Sequence, residues 1–262
     1  MKRFISLMLA FMLLFSLAAC SSDEIQPETT ETEKEVETTL PLPVFDSYKE
    51  SKEFKDENGR VVYTVAANIP RIIKNTDEAF AEYVNNYFLG IFNDACEFAE
   101  KNISNAAAFM DSNSSSSPWS KRIDFEVKFS DGSYVSFIIN EYFSMLGEEV
   151  EPSVKSVTFD ISNGEPLTLL DLAHEDYSIA DVEKLVEEKF ILPKIVFYFF
   201  NGSTPNEEQH QLVHDAFNAE NFYLTDDGIS FYISEYIINP QRSGTFICDF
   251  SWKDVEPVLK MS

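Results

Sequence analysis

Glycine, histidine, cysteine and positive charge are all scarce in this chain of 262 residues. The eight glycines are dispersed and none forms Gly-x-Gly, which excludes the familiar phosphate-cradling loops. Neither Ser-x-x-Lys nor Gly-x-Ser-x-Gly occurs, so the usual serine-nucleophile signatures are missing. Only three histidines are present, and His174 sits among acids in an expected loop with no triad signature. His210 and His214 stand four residues apart, on one face of an expected helix. A zinc protease would need Glu where Gln211 stands, which leaves either a non-catalytic metal site or, as the favoured reading, two solvated histidines. Three cysteines, Cys20, Cys96 and Cys248, make no disulfide framework and no zinc spacing. Cys96 falls in a helical pattern and Cys248 in a strand pattern, each facing a core; a bridge between them stays open beside two separate buried thiols. Lys and Arg number 20 against 45 Asp and Glu, a net charge of −25, which argues against nucleic acid as a partner and for solubility or a cationic partner. With so many acids, no carboxylate pair can be singled out. The sequence therefore assigns no catalytic residue, no metal ligand and no cofactor.

What is present starts at the N-terminus. Met1-Lys2-Arg3 is basic, Phe4 to Leu14 is apolar and too short for a comfortable membrane span, and Ser16-Leu17-Ala18-Ala19 precedes Cys20. This resembles the signal peptide and lipobox of exported bacterial lipoproteins. The resemblance implies cleavage after residue 19, a lipid on Cys20, a membrane partner through that lipid, and a place on the outer face of the cytoplasmic membrane. Residues 20–45 are acidic, threonine-rich and interrupted by Pro27, Pro41 and Pro43, the composition of a disordered, self-repelling tether.

Beyond the tether the chain is long enough for a sizeable core, and 24 Phe and 11 Tyr are available to fill it. Asn58-Gly59, Asp131-Gly132, Asn163-Gly164 and Asp227-Gly228 each lie beside strand-like sequence and signal hairpins. Strands are expected at 123–129, 134–143, 154–161, 229–238 and 245–252. Thr76-Asp77-Glu78 caps a long amphipathic helix over 76–101, with Phe80, Val84, Tyr87, Phe88, Ile91, Phe92, Ala95 and Phe98 on its apolar face. Further helices are expected at 179–190, ended or kinked by Pro193, and at 207–219. The stretch 105–119 turns serine-rich and reads as a mobile loop, with a lid as the sharper alternative. Ile195 to Phe200 suits core packing better than a ligand groove or a membrane contact. The class is α+β: a largely antiparallel sheet of hairpins with one long and two shorter helices, in two closely associated subdomains, 46–152 and 153–262.

The run from Asn221 through Asp227-Gly228 to Asn239-Pro240, with Gly244 beyond it, resembles the domain of unknown function shared by RsiV-type anti-sigma factors and PdaC-type peptidoglycan deacetylases. Phe159 to Leu172 resembles the leading strand, turn and helix start of that domain, and Val62 to Pro70 its companion N-terminal domain. These are fold motifs: Asp227-Gly228 is expected to supply a positive-φ turn. The chain departs from relatives at Leu146–Pro152 and at Gln241-Arg242-Ser243. It has three residues before its apolar stretch, where an anti-sigma factor carries its sigma-binding segment, and leaves no room for a deacetylase domain. The resemblance thus implies the envelope-facing module alone, which senses lysozyme in anti-sigma relatives. The expected function is a lipid-anchored binding or sensing module for a cell-wall glycan or a cationic envelope protein. An envelope hydrolase with an unrecognised carboxylate site and an accessory subunit of an envelope complex are the alternatives.

Overall fold

The computed structural model describes residues 42–74, 77–114, 116–148, 151–238 and 244–260. The expected signal peptide, Cys20 and the tether as far as residue 41 lie outside them. Two residues assigned to the tether, Val44 and Phe45, already belong to the first strand, and Phe45 stands edge-on to Phe137 at 5.6 Å.

The architecture is α+β, with two sheets. The first holds β1 (Val44–Lys55), β2 (Val61–Lys74), β3 (Trp119–Ser130), β4 (Tyr134–Ser144) and β5 (Ser153–Asp160), side by side in that order. β1 and β2 form a hairpin around Asn58-Gly59, where Gly59 takes φ +78° and Asp56 accepts the amides of Asn58 and Arg60. β2 and β3 run parallel, Tyr63 beside Trp119. A parallel pair needs a crossover, and α1 (Glu78–Lys101) followed by α2 (Ile103–Ser112) provides it. α2 corrects the expected loop: its run of alanines with Phe109 and Met110 winds helically and buries Ala106 and Met110.

Asp77 caps α1, accepting the amides of Ala79 and Phe80. Phe80, Val84, Phe88, Phe92, Ala95, Cys96 and Ala99 are buried against the sheet, whereas Phe98 is 51% exposed and leaves the expected apolar face. Phe88 forms the centre of this core, with its ring 4.9 Å from Phe125 and 4.6 Å from Phe137.

β4 reads as a continuous buried run from Tyr134 to Ile139 because both of its faces are covered. Val135, Phe137 and Ile139 join the α1 core, while Ile138 meets Tyr223 and Tyr232 of the second sheet. That sheet is β6 (Phe222–Thr225), β7 (Gly228–Ser234) and β8 (Thr245–Ser251), all antiparallel. Hydroxyls lace the two sheets: the buried Ser136 Oγ lies 2.7 Å from Thr158 Oγ1 and accepts the Leu224 amide at 3.0 Å, and the part-buried Ser156 donates to the Phe222 carbonyl. The strand 153–160, assigned by sequence to the head of the C-terminal subdomain, is hydrogen-bonded along its length to β4 in the first sheet.

Gly228 does not take the expected positive φ. It is required for close approach: a Cβ there would lie 1.9 Å from the Phe250 carbonyl oxygen across the β7–β8 ladder. The expected strand over 229–238 ends at Ser234, and residues Glu235–Ile238 form one helical turn, α6.

Candidate functional site

The C-terminal half packs three helices against the second sheet. α3 (Ile179–Val186) starts at a capping box in which Ser178 and Asp181 satisfy each other's amides. The side-chain and backbone hydrogen bonds from Ser178 hold the Asp181 carboxyl below its ordinary range. A π-helical turn over Glu187–Ile191 follows, then α4 (Leu192–Phe199). The helix thus runs past Pro193 without a break, and of the two expectations for that proline, an end or a kink, the end is corrected. Pro193 falls in the first turn after the widened segment.

The reason for the wide turn lies in the apolar stripe. Val182, Val186, Ile191 and Ile195 are all fully buried, yet Ile191 comes five residues after Val186. In a regular α-helix that step would swing Ile191 off the stripe by roughly 140°; the π turn absorbs the additional residue and returns it to the core. Glu187 and Glu188, at the start of the wide turn, face α5 (Glu207–Ala216), itself opened by an Asn206–Gln209 capping box.

Between the π turn and α5 lies a groove of about 740 Å³. Among the described residues, Glu183, Glu187, Glu188 and Asp215 line it against a single lysine, Lys184, and His214. His214 Nδ1 stands 2.9 Å from Glu187 Oε2, and the hydrogen bond and charge of that carboxylate raise the imidazole above its usual value. Glu187 is mostly covered while His214 is mostly exposed, so the carboxylate is the fixed member of the pair. The arrangement attracts cations and offers carboxylate acceptors for their N–H groups.

The residues weighed from sequence are dispersed. His210 is exposed on α5 and does not line the groove, so the two histidines do not converge; among the described residues no three potential ligands cluster for a metal. His174 donates from Nε2 to the Glu256 carbonyl at 2.7 Å, tying the C-terminal segment to residues 171–174. Cys96 and Cys248 are free, buried in separate cores, and burial pushes the Cys248 thiol up to about 12. Of the aromatic run on α4, Ile195 is buried as expected, but Phe197 is 74% exposed and Tyr198 60%. Glu151 and Pro152, the end of the first stretch that departs from relatives, line a hollow with Gly244 and Thr245. Residues 149–150 and 239–243 lie outside the described residues. Among the described residues no helix is long and apolar enough to cross a membrane.

Sequence reasoning missed the groove because its acids are four among 45. The signal that could have found it was the i, i+4 spacing of Glu183 with Glu187 and of Lys184 with Glu188, which puts these charges on one side of the helix.

Residues 171–253, which contain the whole groove, match the family model described as "Protein of unknown function (DUF3298)". The fold is similar to that of a DUF3298 family member from Bacteroides fragilis, with a TM-score of 0.57 and 19% identity over 85% of this chain and 96% of that one. A DUF3298 family protein from Pseudomonas aeruginosa is similar at a TM-score of 0.51 and 12% identity, again over 85% and 96%. At such identities the likeness is one of fold. No curated protein matches in sequence.

Proposed function

We propose that this chain is a lipid-anchored extracytoplasmic binding module that captures a cationic envelope protein in the groove between the π turn and α5. The observation that carries the reading is the charge of that groove, four carboxylates against one lysine and His214, within the residues that match the DUF3298 model. The net charge of −25 extends the attraction over the whole molecule and accelerates encounter with a basic partner. The lipobox-like segment ending at Cys20 and the acidic stretch after it would anchor the module and hold it off the bilayer. The resemblance to the lysozyme-sensing module of RsiV-type anti-sigma factors makes lysozyme the natural first partner.

The test is calorimetry of the chain with hen lysozyme at low and at physiological salt, beside the variant Glu183→Gln/Glu187→Gln/Glu188→Gln. Binding should persist at the higher salt and weaken by about tenfold or more in the variant, as expected when charged contacts are lost. No heat, or equal affinity for variant and parent, would overturn the proposal.

A further inference from the structure

The outer side of α4 is aromatic. Phe197 is 74% exposed and Tyr198 60%, the two highest values among the exposed large apolar side chains of the described residues. Pro193 and Lys194, four residues before them and so on the same side of the helix, are exposed as well. The fold holds only the inner edge of this surface: the Tyr198 ring lies 4.9 Å from that of Phe246, and Lys194 Nζ stands 5.2 Å from the centre of the Phe250 ring. Burying two such rings would favour the folded state, and a pair of them left side by side in water marks a surface that meets something else.

Charge decides what covers it. Residues 189–206 hold two lysines and no Asp or Glu, in a chain where acids make up 45 of 262 residues. A cationic protein finds no carboxylate to pair with on this side of α4, and a second copy of so acidic a chain is repelled. The headgroup–acyl boundary of a bilayer fits: Phe and Tyr rings enter it and a lysine stem follows them while its head stays at headgroup level. We infer that the outer side of α4 docks on the bilayer through Phe197 and Tyr198, with Lys194 among the headgroups. With eight residues α4 lies on the membrane and does not cross it. The inference rests on the proposed lipid at Cys20 to bring the chain there. Residues 20–41 can span up to about 75 Å, against a radius of gyration of about 17 Å for a compact domain of some 220 residues, so this face can reach the surface that carries the anchor. Two rings hold a bilayer weakly from free solution, and the anchor supplies the effective concentration that makes them suffice. None of the residues lining the acidic groove belongs to α4, so docking leaves the groove to its own partner.

The test couples the chain from Cys20 onward, through the Cys20 thiol, to a maleimide lipid in phosphatidylcholine vesicles at physiological salt; the other two thiols, Cys96 and Cys248, are buried. This synthetic anchor stands in for the proposed lipid, so the outcome speaks of the face whether or not the cell lipidates Cys20. A ring sunk about 5–10 Å into the boundary meets lipids brominated high on their acyl chains, and Phe197→Trp should be quenched by them about twofold more than Phe98→Trp. Phe98 is a control, an exposed ring on α1, and both variants are read against the parent's two tryptophans. Adding Tyr198→Ser to Phe197→Trp should lower the quenching. Quenching of Phe197→Trp no greater than that of Phe98→Trp, or unchanged by Tyr198→Ser, would overturn the inference. So would a blue shift of Phe197→Trp that follows the density of attached chains and ignores bromination, since a second copy would then cover the face.

Discussion

Two glycines make opposite predictions for the same substitution. Gly228→Ala forces a Cβ to within 1.9 Å of the Phe250 carbonyl, so β7 and β8 must part. Overpacking of this kind costs about 1–3 kcal/mol, a fall on the order of 5 °C in Tm for a chain of this size, read by thermal denaturation. A methyl added at Gly90 in α1 would meet nothing within 4 Å, and Gly90→Ala should raise stability by about 0.5–1 kcal/mol. At His214 the prediction concerns pH. Its value is raised in the folded state, so the Glu187 contact stabilises fully below the ordinary imidazole value and is lost as pH rises through the raised one. An NMR titration should show the His214 midpoint fall toward the ordinary value in Glu187→Gln. The buried thiols give a further check: Cys96 and Cys248 should resist a thiol reagent in the native protein and react when it is unfolded, because burial pushes both away from the thiolate.

Among the elements, α1 carries most of the first core. Phe88→Ala removes a fully buried ring that touches Phe125, Phe137 and Phe159 and should cost about 3–5 kcal/mol, seen as an earlier midpoint in denaturant. α1 was legible in sequence because cap, periodicity and length agreed. The hairpins at Asn58-Gly59, Asp131-Gly132 and Asp227-Gly228 were legible for a similar reason, since turn chemistry is local. α2 was not, because Asn and Ser around its alanines favour turns until Ala106 and Met110 find the sheet. The role of Gly228 was equally hidden: its constraint comes from Phe250, separated in sequence and adjacent only across the ladder. In the groove the individual acids were visible, but the approach of His214 and Asp215 on α5 to Glu183, Glu187 and Glu188 depends on how two helices separated in sequence pack.

For the molecule as a whole, charge and fold divide the labour. Two cores, one under α1 and one among the C-terminal helices, meet at a seam where the buried Ser136 and the part-buried Ser156 hydrogen-bond the backbone of the second sheet. The seam is thus polar and directional, which fixes register more than it adds adhesion. Among the described residues, the carboxylates held below their ordinary range are Asp56, Glu141, Asp181 and Asp254. A lowered value stabilises the fold above the ordinary carboxylate range and ceases to do so as pH falls through the folded value. Stability should accordingly decline as pH falls through the lowered carboxylate values, beside the loss at higher pH that comes with deprotonation of His214, both measurable as Tm against pH.

The widened turn at Glu187–Ile191 and Pro193 are tied together in a way that bears on how such a chain can change. Deleting Glu188 alone would restore even winding and keep the buried stripe, but would leave the proline in the middle of an uninterrupted helix, at a cost of about 3 kcal/mol. Replacing the proline in the same step would remove that penalty. Single deletion and double change should therefore differ sharply in helicity and Tm, and any lineage that lost the inserted residue would be expected to have lost the proline as well.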